Sequence, residues 1–79
     1  MTPSARTVLE LVIAGQPLSE REREVLACAA SGLTMEETAS ELYLALETVK
    51  GYRRRIIAKL KANNIPHAVA IGFEQGILP

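Results

Sequence analysis

The 79-residue sequence has no Asp, no Trp, one His and one Cys. With His67 as the lone imidazole and no Asp beside it, no triad, acid/base pair or metal cluster assembles, so no catalytic residue, metal or cofactor is expected. Cys28 alone cannot close an internal disulfide, and its neighbours Val25, Leu26 and Ala29 predict a small, buried, inert side chain. Aromatics make up only 4% of the chain, so the interior must be built from Leu, Ile, Val and Ala at helical spacing, an all-α composition. No charged segment leads into a long apolar run, no span has transmembrane length and no lipidation box is present. Nothing therefore directs the chain out of the cytoplasm, which is its expected location.

A chain of this length makes one small domain whose marginal core calls for oligomerisation or very regular helix packing. Its nine basic and nine acidic residues sum to a formal net charge of zero. Zero charge ordinarily argues against nucleic-acid binding, where phosphate neutralisation dominates affinity. The average conceals a segregation along the chain. Lys50, Arg53, Arg54, Arg55, Lys59 and Lys61 are six of the nine basic residues, whereas seven of the nine acidic residues precede Leu44. At about 100° per residue, Val49, Ile56 and Leu60 share one helical face, with Lys50, Gly51, Arg54, Ala58 and Lys61 roughly opposite. One side of this helix can pack while the other reads a duplex.

Five helices are predicted. Thr2 as N-cap with Pro3 in the first position opens a helix carrying Val8, Leu9, Val12 and Ile13, with Gly15 as its stop. Ser19 and Glu22 form a capping box for a helix over 20–31, ended by Gly32. A second box, Thr34 with Glu37, opens a shorter helix through Leu42 whose inward residues are Thr38, Ala39 and Leu42. After a three-residue turn the basic helix spans about 46–62, stopped by Asn63, Asn64 and Ile65 before Pro66. Pro66 opens the last helix, to about Gln75, with Gly76 as its stop.

Ala39 and Val49, ten residues apart, meet the needs of a helix-turn-helix: a small residue where the helices approach and a branched anchor on the second. The run LSEREREVL, then GLTMEETASEL, then ETVKGYRRRIIAKL resembles the LuxR/GerE family of DNA-binding domains in order and spacing. The closing HAVAIGFEQGIL is similar to that family's fourth helix, and the resemblance covers Leu18 to Leu78. It implies an all-α, four-helix LuxR-type helix-turn-helix domain over residues 18–79, preceded by an additional helix and linker over 1–17. It also implies a bacterial or phage transcription regulator, either a stand-alone GerE-like protein or a piece of a larger one.

By that resemblance the third helix enters the major groove, where Lys50, Gly51 and Arg54 face base edges. Lys and Arg suit guanine O6 and N7. Thr48, Tyr52, Arg53, Arg55 and Lys59 match positions near phosphates. The fourth helix implies a homodimer, with Val69, Gly72 and Phe73 at its seam; the alternative is that Val69 and Phe73 pack back on the domain's own helices. The Arg53 to Arg55 run has its own alternative, an exposed solubilising surface or pairing with Glu22, Glu24 and Glu41. Arg53, toward the packing edge, is the expected bridge to an earlier helix.

The chain departs from the family pattern at several positions. Ala45 stands where a capping Ser or Thr is usual, and Glu36 and Glu37 open the second helix, where polar or basic residues commonly approach DNA. Thr38 replaces a frequent Ile, and Cys28 with Ala29 a frequent Leu, leaving space that Leu9 or Val12 would fill. These departures, with the neutral charge, support a second function: a protein-interaction module of the same fold with weak or no DNA binding, acting on a polymerase subunit or another regulator. For a DNA-binding regulator, RNA polymerase is a further partner. A sigma-factor region 4 piece shares similar LSEREREVL and TVK elements, but the closing helix argues against it.

Overall fold

The computed structural model describes residues 2–79. Among them the chain forms five α-helices: α1 Ala5–Ile13, α2 Glu20–Ala30, α3 Met35–Leu42, α4 Leu46–Leu60 and α5 Ile65–Glu74. The all-α expectation holds, and each start has a local chemical cause. Ser19 accepts from the Glu22 amide at 3.2 Å while the Glu22 carboxylate accepts from the Ser19 amide at 2.7 Å. Thr34 and Glu37 repeat this reciprocal arrangement at the head of α3. Each box satisfies two amides that the helix cannot pair internally. Ala45 caps α4 with no side-chain hydrogen bond, as its methyl group requires.

Two starts differ from expectation. Ser4, not Thr2, caps α1, its hydroxyl accepting from the Thr7 amide at 3.1 Å. Asn64 caps α5, accepting from the His67 amide at 2.8 Å, while His67 Nδ1 accepts from the Asn63 amide at 3.0 Å. Pro66 therefore occupies the first turn rather than opening the helix, where its missing N–H removes nothing the helix needs.

The helix ends share one device. After α2, α3, α4 and α5 a residue in the left-handed region turns the chain: Gly32, Tyr43, Lys61 and Gly76. At Lys61 its amide donates to Ala58 O at 3.2 Å and the Ala62 amide to Ile57 O at 2.9 Å, the paired bonds of a Schellman motif. The basic helix therefore stops at Leu60, two residues before the expected end, through Lys61 rather than the Asn63 to Pro66 segment. Tyr43 performs the same task between α3 and α4, holding the three-residue turn of the helix-turn-helix.

The core joins Leu18, Val25, Leu26, Ala39, Val49, Ile56, Ala68 and Leu78. α2 packs on α4 and α5, and α3 packs on α4 with Ala39 and Val49 both buried. Arg21 ties α2 to the end of α3, donating through one guanidinium nitrogen to Leu42 O at 2.7 Å and through another to Glu24 at 2.6 Å. Thr38 is buried, and Cys28 is half-buried rather than buried as expected. Burial and the nearby Glu41 push the Cys28 thiol up, more than the Thr38 hydroxyl lowers it, so it stays protonated.

Gly72 is buried, and a Cβ there would sit 3.0 Å from Leu78 Cδ1 and 3.1 Å from Leu26 Cδ2. The chain folds back after Gly76, with the Ile77 and Leu78 amides both donating to Gly72 O, so Leu78 closes the core over the space the missing side chain leaves. Gly72 is therefore small for packing within the chain, not for a homodimer seam. α1 also departs from expectation. It packs on α4 instead of filling the space between α2 and α3, and Leu9 and Val12 stay more than half exposed.

Candidate nucleic-acid interface

α4 positions the cationic side chains. Val49 and Ile56 are fully buried against α2 and α3, and Leu60 is half-buried beside them. This anchoring leaves Lys50, Gly51 and Arg54 on the side away from the core. Arg54 is exposed and takes part in no ion pair among the described residues. Lys50 keeps 39% of its side chain exposed and meets only Glu47, at 3.2 Å, within the same helix. An exposed pair three residues apart is worth a few tenths of a kcal/mol, about, so phosphate or a base edge displaces Glu47 easily. A Cβ on Gly51 would meet nothing within 4 Å, so packing does not require glycine there.

The flanking residues divide. Thr48 is exposed in the first turn of α4, beside the outward cations. Tyr52 is half-buried against the core, and the Arg55 guanidinium lies 5.0 Å from its ring centroid. Arg55 also faces the buried Glu22 carboxylate at 3.7 Å while keeping 47% of its side chain exposed. Arg53 is half-buried and burial lowers its pKa, yet it has no carboxylate partner among the described residues. The bridge from the arginine run to an earlier helix is made by Arg55.

Lys59 is not at the surface expected of a phosphate contact. Its ammonium donates to Glu22 Oε1 at 2.7 Å and to Pro17 O at 3.3 Å, and only 12% of the side chain is exposed. Glu22 thus accepts from its own capping amide, from α4 through Lys59, and lies near Arg55. Burial alone would raise the Glu22 pKa. The Lys59 hydrogen bond, the Ser19 amide and the attraction of the Lys59 charge outweigh it and hold the carboxyl below its ordinary value. Lys59 is a structural cation that fastens α4 to the head of α2. The sequence marks Glu22 as the capping partner of Ser19 and as one alternative partner of the arginine run, but not its pairing with Lys59. Its place between Ser19 and the buried Val25 and Leu26 was the available signal.

On α5, Val69 packs partly against the core and Phe73 is 52% exposed, with Gly72 facing inward between them. Phe73 is the large hydrophobic side chain of α5 that is exposed.

A helix-turn-helix whose second helix carries an outward cationic edge defines a class, and comparison gives the class its family. The family model of bacterial regulatory proteins, luxR family, matches residues 16–71. The chain belongs to that family. It is 39% identical over 64 residues to the transcriptional regulatory protein FixJ of Rhizobium meliloti, covering 81% of this chain and 31% of that protein. It is 45% identical over 62 residues to the HTH-type transcriptional activator RamA of Corynebacterium glutamicum, covering 78% of this chain and 22% of RamA. The transcriptional regulatory protein DesR of Bacillus subtilis is 36% identical over 67 residues, covering 85% of this chain and 34% of DesR. The chain thus spans about a third or less of the length of these relatives. None of the helices among the described residues is long and apolar enough to cross a membrane.

Proposed function

We propose that this chain is the sequence-specific DNA-binding part of a transcription regulator that acts as a homodimer, with α4 in the major groove. The observation that carries this reading is the solvent-facing edge of α4, where Arg54 has no acidic partner among the described residues and Lys50 has only an exposed one. Lys50 and Arg54 read base edges, and Gly51 between them lets the helix backbone approach. Thr48 and the exposed parts of Arg53 and Arg55 hold phosphates, with Tyr52 beneath Arg55 fixing its orientation. Lys59 has no place in this set.

The dimer forms through the outer face of α5, with Phe73 and the exposed part of Val69 at the seam. A twofold axis there presents two α4 helices to half-sites about one helical turn apart, roughly 34 to 36 Å. RNA polymerase is a further partner of such a regulator. No enzymatic activity is proposed.

Titration of a random-sequence duplex at low salt tests the reading, because a free cationic edge gives weak nonspecific binding whose affinity falls steeply as salt rises. No binding at the lowest salt overturns it in favour of a protein-interaction module of the same fold. Size measurement across a concentration series tests the dimer, and Phe73→Ser is expected to shift the chain toward monomer.

A further inference from the structure

α1 does not lie where an additional helix would simply enlarge the core. None of its residues is buried, and it packs on α4 from the side opposite Val49 and Ile56. Ala5, Arg6, Leu9, Glu10 and Ile13 face Gly51, Arg54 and Arg55 across an open groove of about 300 Å³. At the end of α1 the Gly15 amide donates to Lys59 O at 2.8 Å, which ties the linker to the far end of α4. The additional helix therefore flanks two of the three residues assigned to base reading.

Size decides what this means. A major groove is about 12 Å wide, and one helix with its side chains is about 10 to 12 Å across, so the groove admits α4 alone. Two packed helices with axes about 8 to 10 Å apart exceed that width. Charge is balanced on α1 itself, since Glu10 pairs with Arg6 at 3.3 Å and both line the groove, so it is size that excludes α1. The attachment is weak enough to reverse: Leu9 is 53% exposed, Ile13 is half-buried, and α1 itself makes no hydrogen bond to α4 among the described residues, the two ties from the Gly15 amide to Lys59 O and from the Lys59 ammonium to Pro17 O lying in the linker beyond it.

We infer that α1 is a removable cover over the reading edge of α4, docked in the free chain and displaced when α4 enters DNA. This rests on the DNA-reading function proposed above for α4. Binding is then weakened by the fraction of chains with α1 docked, and anything that holds α1 elsewhere strengthens it.

The test uses the full chain and a Leu9→Gln, Ile13→Gln variant, which loses the two large apolar side chains α1 presents to the groove. Both are titrated with one labelled duplex at the same low salt. If α1 is docked in nine chains of ten, the variant binds about tenfold more tightly, because the apparent Kd is the intrinsic Kd divided by the competent fraction. Amide hydrogen exchange on the parent chain provides the second reading and needs no variant. Amides 9–13 and Gly15 are expected to lose protection when duplex is added. Equal or weaker binding by the variant, or α1 protection unchanged in a parent complex that does form, overturns the cover and leaves the reading face standing. Absence of binding by both proteins overturns the DNA-reading function and the cover with it.

Discussion

Removing the charge of Glu22 while keeping its shape isolates the contact that orients α4. Glu22→Gln retains an acceptor for the Ser19 amide, since Gln serves a capping box as Glu does. It leaves the Lys59 ammonium, 12% exposed, without the anion now 2.7 Å away. Orphaning one member of a buried pair costs about 3 to 5 kcal/mol. Lys59 lies at the edge of the interior and also reaches Pro17 O at 3.3 Å, so a cost at or somewhat below the foot of that range, about 2 to 3 kcal/mol, is expected. A domain of this size has a total stability of roughly 4 to 12 kcal/mol, and each kcal/mol moves Tm by about 4 to 8 °C. Thermal unfolding followed by circular dichroism should therefore show Glu22→Gln melting roughly 10 to 20 °C lower. Lys59→Met should be destabilised as well, and the double variant less than the sum, with a coupling of about 1 to 3 kcal/mol.

The pH dependence has a defined sign. Because the folded Glu22 carboxyl lies below its ordinary value, its contribution is present above the ordinary glutamate range. It is lost as pH falls through the folded value. The parent should lose stability on that acid limb, and Glu22→Gln should flatten it. The reasoning is refuted if Lys59→Met melts like the parent and instead weakens every duplex equally, with the salt slope reduced by about 0.9, the mark of one lost phosphate contact.

Three smaller perturbations follow from the same geometry. Ala45→Ser supplies the cap that α4 lacks and should raise stability by about 1 kcal/mol in denaturant unfolding; an unchanged midpoint would mean that the serine does not reach the first-turn amides. Gly51→Ala places a methyl group in open space and should add about 1 kcal/mol through helix propensity, a loss of stability being the contrary result. Gly72→Ala forces Leu26 and Leu78 apart and should lower stability by about 1 to 3 kcal/mol. A variant as stable as the parent would show that the returning C-terminal segment yields freely.

Local chemistry made much of the fold legible. The two capping boxes announce α2 and α3 because both partners lie within four residues, and Ala39 with Val49 marks the crossing of α3 and α4. The end of α4 was harder to place, since a Lys in the left-handed region carries no signal of its own and only the paired carbonyls of Ala58 and Ile57 reveal the stop. Lys59 was misplaced because its partner is 37 residues away. Its helical position between Arg55 and Tyr52, on the border of the apolar stripe, permits either an inward or an outward course, and the buried carboxylate decides. α1 shows the same limit. Its apolar stripe says that it packs, whereas which helix receives it depends on a tertiary choice that the stripe does not encode. Gly72 looked like a surface feature because the residue that fills its space, Leu78, arrives from beyond the end of α5.

The account rests on the outward edge of α4 reading bases, and one measurement addresses it most directly. A duplex selected from a random pool by the parent chain is titrated with parent and Arg54→Ala at fixed salt, alongside single-base variants of the selected site. Arg54→Ala should lose about 1 to 3 kcal/mol and relax the preference at one position while keeping it at the others. Selection of no preferred sequence, or an Arg54→Ala variant with the parent's affinity and preferences, would contradict the account.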